Sequence, residues 1–114
     1  MRDRPTTPYD TFAQLDLRVG QILRADPFPK ARQPAYQLYI DFGPLGIKKS
    51  SAQITRRYQP EQLVGRQVIA VVNFPPRQIA NFMSEVLVLG VVPTAGDVVL
   101  LMPEVDVPLG SRVL

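Results

Sequence analysis

Between Tyr36 and Phe42 the chain reads Tyr-Gln-Leu-Tyr-Ile-Asp-Phe, with Tyr36, Leu38, Ile40 and Phe42 in one phase and Gln37, Tyr39 and Asp41 in the other. A period of two is what a strand with one buried face requires. The same alternation starts at Leu15, where Leu15, Leu17 and Val19 are interleaved with Asp16 and Arg18. Gly20 breaks the phase ahead of Ile22, and a bulge there would let a long first strand bend. Gly-Pro-Leu-Gly at 43–46 turns the chain into a short third strand, 47–52. Further strand-like runs lie at 67–74, 84–92 and 97–103, the last two joined by a turn over 94–97. The close, 105–114, is extended and carries a proline, which suits an edge or a packed tail.

Helix signals are brief. Residues 10–17 read as one helical turn that Asp10 or Thr11 can cap, with Thr11 and Gln14 spaced as a capping box. Between 53 and 66, Pro60 suits a first helical position, Glu61 favours that end of the helix dipole, and Gly65 can close the turn. The pattern predicts an all-β fold: an OB-fold five-stranded Greek-key barrel with one short helix after the third strand and a short N-terminal helical turn. An SH3-like barrel or an open sandwich would give a similar pattern. Residues 1–10 read as a flexible arm and 11–114 as a single domain, a length that buries one modest core.

Composition narrows the function classes. Apolar residues make up 46% of the chain and charged residues 20%, so a folded domain is expected rather than disorder. Cysteine and histidine are both absent. Their lack removes thiolate nucleophiles, Cys-ligated zinc, Ser-His-Asp triads and the commonest general acid–base group. Asp and Glu are scattered, so no enzyme activity, metal or cofactor is expected. The longest apolar run is far below the roughly 20 residues of a membrane helix, and the N-terminus has no apolar signal core. A cytoplasmic protein without membrane insertion is expected. Residues 1–57 carry ten Lys/Arg against five Asp/Glu, while 58–114 carry three against five. A basic half suits nucleic acid or another polyanion, though on charge alone a merely solvated basic surface is the favoured reading.

The segment 75–84, Pro-Pro-Arg-Gln-Ile-Ala-Asn-Phe-Met-Ser, is unusually apolar for a connector between strands. Pro75 and Pro76 end the preceding strand after Phe74, and Arg77 projects from a stiffened corner. Ile79, Phe82 and Met83 are expected partly exposed, either closing the barrel and a dimer seam or receiving a polypeptide. Met suits a site that accepts varied side chains. Phe28, in the loop after the first strand, could frame one groove with Phe82, with Lys30 and Arg32 on its rim. A packed Phe and two solvated cations are the plainer alternative. Lys48 and Lys49 point to opposite faces, so at most one reaches such a groove. Tyr36 belongs to the core phase and Tyr39 to the surface, whereas Arg56 and Arg57 are expected to face solvent. An apolar floor with a cationic rim predicts a preference for apolar and acidic segments over basic ones.

The blocks Leu-Asp-Leu-Arg-Val-Gly at 15–20, Ser-Ser-Ala-Gln-Ile-Thr at 50–55 and Asn-Phe-Pro-Pro-Arg at 73–77 followed by Ser-Glu-Val-Leu-Val-Leu-Gly at 84–90 resemble the tRNA-binding domain family. The resemblance runs from about Phe12 to the C-terminus, and within the family it is nearest the CsaA-like branch of export-related chaperones. It implies a homodimer of OB-fold subunits without catalytic activity. The implied partners are unfolded or presecretory polypeptides, the SecA translocation motor and tRNA. It carries Asn73, Pro76, Arg77 and Ser84 over as site positions. Val86 and Leu87 stand where tRNA-binding relatives have Gly and Met, a departure that favours the chaperone branch. The implied peptide-binding residues are Phe28, Phe74, Arg77, Ile79, Phe82 and Met83. The implied cationic or tRNA-contacting set is Lys30, Arg32, Lys48, Lys49, Asn73, Arg77, Ser84 and Leu87. Phe12, Leu109, Val113 and Leu114 are surplus apolar positions near both ends and are the candidate dimer contacts.

Overall fold

The computed structural model describes residues 3–114, so the first two residues of the expected arm lie outside it. Its strands, in chain order, are β1 (Leu17–Pro27), β2 (Tyr36–Asp41), β3 (Ile47–Ala52), β4 (Gln67–Val71), β5 (Arg77–Ile79), β6 (Phe82–Ser84), β7 (Leu87–Val88), β8 (Gly90–Thr94) and β9 (Asp97–Leu100). Five of them form one antiparallel sheet in the order β3-β2-β1-β4-β7. The sheet curls until its ends meet, where the Glu85 and Val86 N–H groups donate to the Lys49 carbonyl at 2.8 and 3.3 Å. This is the expected OB-type barrel. Hairpins β5–β6 and β8–β9 are separate two-stranded ribbons.

Apart from Leu15, which precedes β1 and is exposed, the apolar phase read from the sequence is the core. Ile22, Leu38, Ile40, Phe42, Leu63 and Val68 have no exposed surface, and Tyr36 and Tyr58 are buried beside them. Both hydroxyls are satisfied, as burial demands. Tyr36 donates to the Tyr58 carbonyl at 2.6 Å, and the Tyr58 oxygen accepts from the Leu100 N–H at 3.1 Å. Burial, with the Glu61 charge second, pushes the Tyr36 phenol above its ordinary pKa.

Local chemistry departs from expectation at three places. The register of β1 against β4 runs unbroken through Gly20, and the shift falls instead against β2, at Leu23 between Ile22 and Arg24. Gly20 has a different purpose: a Cβ there would lie 2.6 Å from Ile40 Cγ2 and 2.7 Å from Phe42 Cε1. The glycine lets β1 sit directly on two fully buried side chains. At the N-terminus, α1 (Tyr9–Ala13) is entered through extended Pro8 rather than capped by Asp10 or Thr11. Thr11 is occupied by a 2.8 Å hydroxyl contact to Thr7, and Asp10 sits in the first turn. Finally, the run 84–92 is not one strand but the end of β6, then β7 and β8. A Cβ on Gly90 would overlap Val98 Cγ1, so this glycine lets β8 lie close against β9 where the chain passes from the barrel sheet into the β8–β9 hairpin.

Two expectations match closely. Helix α2 (Pro60–Leu63) follows β3 with Pro60 at its first turn, and the Gln59 N–H donates to Gln62 Oε1 at 2.7 Å. The tail packs, because β2 covers β1 only from Gln21 onward and leaves the first half of that edge open. Gly110, Ser111 and Val113 bond there to Val19 and Leu17 over 2.8–2.9 Å. Arg56 and Arg57, read as solvent-facing, are exposed but engaged. Arg57 makes a two-pronged bond to Asp97 at 2.8 and 2.9 Å, and Arg56 donates to the Ala95 carbonyl at 2.9 Å. They hold the β8–β9 hairpin against the barrel, and the hydrogen bond from Arg57 sets the Asp97 carboxyl below the usual carboxylate pKa.

Gly20→Ala should lower unfolding free energy by about 1–3 kcal/mol, the usual cost of overpacking a filled core. Urea melts are expected to show a lower midpoint with an unchanged slope. A midpoint equal to wild type would mean that Ile40 and Phe42 have room to give.

Candidate functional site

The loop between β1 and β2, residues 28–35, lies against the long connection between β4 and β7. Within that connection Pro75 and Pro76 end pairing, and the chain doubles back as β5 and β6. Their register, Ile79 opposite Phe82, leaves Ala80 and Asn81 as a two-residue turn with Ala80 at φ 50°. Alanine is strained there by a cost of order 1 kcal/mol, and the Gln78 side-chain amide helps hold the turn by donating to the Ala80 carbonyl at 2.7 Å.

What fixes this hairpin is a second small core. Phe28, Ala35 and Phe82 are buried together, with Ala31, Tyr39 and Ile79 packed around them. The Phe28 and Phe82 rings meet edge-on at 5.4 Å, and Tyr39 meets Phe82 edge-on at 6.2 Å. Lys49 Nζ lies 5.2 Å from the centre of the Phe82 ring, and the Arg24 guanidinium lies 5.1 Å from that of Tyr39. The expectation that Phe28 and Phe82 line opposite walls of a groove is therefore corrected: each ring buries the other. The segment 75–84 is apolar in part because it needs its own core. Met83, on the outward phase of β6, is 38% exposed.

An open groove remains beside this small core. One part, about 510 Å³, has apolar walls from Ile54, Phe74, Ile79, Leu87, Val98 and Leu100. Phe74 and Leu87 keep 43% and 49% of their surface exposed. The second part, about 400 Å³, is lined by Lys30, Arg32 and Arg77 with the amides of Gln33, Gln53 and Gln78. Ser51, Gln53, Arg77 and Ile79 border both. The polar groups at the seam are internally bonded: Ser84 Oγ accepts from the Ser51 N–H at 3.0 Å, and Glu85 Oε1 accepts from the Lys49 N–H at 2.9 Å.

The sequence-predicted residues thus separate into groups. Phe74, Arg77, Ile79, Ser84 and Leu87 are brought together at the apolar part, and Lys30 and Arg32 meet Arg77 at the cationic part. Lys48, Lys49, Asn73 and Met83 line neither. Asn73 instead braces the chain entry, accepting from the Asp16 N–H and donating to the Gln14 carbonyl, each at 2.8 Å. Phe12, Leu109, Val113 and Leu114 also lie away from the groove; Leu109 and Val113 are half-buried, and Leu114 is 92% exposed. The sequence reading did not find Gln53, Ile54, Val98 and Leu100. Gln53 and Ile54 fall within the block at 50–55 and could have been weighed, whereas Val98 and Leu100 reach the site only through the placement of the β8–β9 hairpin.

Comparison with known proteins gives a consistent picture. Residues 17–112 match the family model described as "Putative tRNA binding domain". The chaperone CsaA of Bacillus anthracis superposes with a TM-score of 0.93 at 55% identity, covering 96% of this chain and 100% of that one. The CsaA chaperone of Picrophilus torridus gives 0.89 at 48% identity over the same shares. Methionine–tRNA ligase of Methanothrix thermoacetophila is 38% identical over 113 residues, which is 99% of this chain but 16% of that enzyme.

Phe82→Ala should destabilise the fold by about 3–5 kcal/mol, as for other buried aromatics, whereas Met83→Ala should change it by less than about 1 kcal/mol. Denaturant melts of the two variants distinguish packing from exposure. Equal effects would overturn the assignment of Phe82 to a core.

Proposed function

The chain belongs to the tRNA-binding domain family and is CsaA-like within it, and from that premise we propose that it is a non-catalytic chaperone for unfolded or presecretory polypeptides in protein export. The observation that supports this most is the open apolar part of the groove, about 510 Å³, whose walls include exposed Phe74 and Leu87. Cavities of this size hold ligand groups, and apolar walls on a fixed frame bind by removing apolar surface from water without a chemical step. The sequence has no phosphate-binding loop, so capture and release run without nucleotide hydrolysis. The working location is the cytoplasm, with SecA as the translocation partner that takes over the client.

The working unit in this reading is a homodimer. Val91 and Val92 on β8, and Met102 and Val105 beyond β9, are more than half exposed, as is Leu114 at the other candidate seam. Apolar side chains left this open favour a partner subunit. Sedimentation at micromolar concentration should give twice the 12.7 kDa chain mass. A single species at the chain mass would overturn this part.

A second reading, structure-specific tRNA binding, is favoured by the cationic part of the groove and by the methionine–tRNA ligase relatives. One titration separates the two. A labelled unstructured export-type peptide, followed by anisotropy, should bind in a way that tolerates salt and excess tRNA. Phe74→Ser with Leu87→Ser should weaken it about tenfold, roughly 1.4 kcal/mol, at an unchanged melting temperature. Peptide affinity that survives the double substitution would overturn the site. Absent peptide binding, with tRNA binding that falls steeply with salt, would establish the second reading instead.

A further inference from the structure

We infer that the groove selects extended polypeptide in which an apolar side chain is followed or preceded, two residues along, by a carboxylate. This rests on the polypeptide-binding reading above and adds the sequence pattern of the ligand. The two parts of the groove differ in kind and abut. Ser51, Gln53, Arg77 and Ile79 border both, so a chain leaving one enters the other across β5.

Charge assigns the carboxylate to one end. Lys30, Arg32 and Arg77 converge on the smaller part, none of its described lining residues is acidic, and none of the three cations forms an ion pair within the described chain. Elsewhere Arg18, Arg24 and Arg57 are each paired with an aspartate at 2.7–2.8 Å. Most other Lys and Arg side chains of the described chain are likewise without an ion pair, and what sets these three apart is that they face one concave surface with no carboxylate among its described lining residues. At the other end the one carboxylate, Glu85, is already engaged by the Lys49 N–H. An acidic ligand side chain placed there would gain no cation except Arg77 and would lose solvation on apolar walls. Apolar and acidic groups thus sort into separate parts.

Spacing follows from strand geometry. Side chains i and i+2 of an extended chain share a face about 6.6 Å apart, and because the two parts share a border, we assign this shortest same-face step to a ligand that crosses it. Arg77, on the shared border, meets the ligand at the step itself. A nucleic acid would also satisfy the three cations, but it has no aliphatic side chain for the larger part. The observations favour polypeptide.

The test uses the full chain and four unstructured peptides of equal length, read by anisotropy at low salt. One carries Leu-Ser-Glu, the second Leu-Ser-Gln and the third Leu-Ser-Lys. The fourth has the composition of the first with Glu moved six residues away. The Glu peptide should bind about three- to tenfold tighter than the Gln peptide, the range for a few exposed charge pairs, with the Lys peptide weakest and the displaced-Glu peptide no better than Gln. Raised salt should erase the difference between Glu and Gln. Lys30→Glu with Arg32→Glu changes two exposed side chains, and circular dichroism will show whether the fold is kept. This double variant should reverse the order of the Glu and Lys peptides. Equal binding of all four peptides would overturn this inference while the polypeptide reading stands. No peptide binding at all would overturn both. If the Glu and Lys peptides kept their wild-type order in the folded double variant, the assignment of Lys30 and Arg32 would fail.

Discussion

Barrel closure rests on the Lys49 carbonyl, which accepts from both Glu85 and Val86. A backbone hydrogen bond contributes only about 0.5–1.5 kcal/mol net, yet these two define which residues can be neighbours. They bring the end of the β4–β7 connection onto β3. The Lys49 and Ser51 N–H groups then meet Glu85 and Ser84 side chains rather than water. With β6 pinned in this way, β5 and the two prolines before it stand over the end of β3, and the space between becomes the groove. Site and closure therefore share residues: Ser51, Ser84 and Glu85 all line the apolar part. Loosening the closure would dissolve the groove as well as the barrel.

The small aromatic core serves the same end by a different force. A hairpin of two three-residue strands buries too little to order itself. Here Phe82 and Ile79 anchor it by packing on Phe28, Ala31 and Ala35 from the other loop. The apolar residues of this connection thus divide their roles. Phe82 holds the loop, and Phe74 stays exposed beside Leu87. A binding surface held in shape before the ligand arrives loses less entropy on binding. Lys49 above the Phe82 ring and Arg24 above Tyr39 shield the outer side of the cluster without adding apolar surface.

Much of the fold was legible because period-two alternation reports directly on which side of a strand faces the core. Leu38, Ile40 and Phe42 needed no other information. Pro60 and the turn over 94–97 were legible because their chemistry is local. Gly20 and Gly90 were not: each marks a close approach by a side chain from a neighbouring element, Phe42 just after β2 in one case and Val98 across the β8–β9 hairpin in the other. A glycine read alone gives a bend as readily as a contact. Phe28 and Phe82 failed for the same reason. Each is an isolated aromatic in a proline-bounded loop, and only the third dimension shows that they pack on one another. The cationic rim was the more legible half of the site, since Lys30, Arg32 and Arg77 occupy loops where charge is normally solvated. The apolar half was less so, because Val98 and Leu100 arrive from a hairpin whose position depends on Arg57 and Asp97.

The departure at Val86 and Leu87 now has a structural meaning. Val86 is buried in the barrel core at the residue whose N–H helps close it. A side chain here, where the tRNA-binding pattern has glycine, adds apolar packing at the closure and restricts the backbone. Leu87 pairs with Val71 and stays half exposed on the groove wall. A branched aliphatic in place of methionine exchanges an adaptable surface for a stiffer one. Both changes move the seam toward rigidity and apolarity, while Lys30 and Arg32 leave its far end basic. A groove that must follow a phosphate backbone needs positive charge along its whole length. One that takes a polypeptide can confine charge to one end, and the placement of Lys30 and Arg32 at one end, with Arg77 on the border, is what the polypeptide reading rests on.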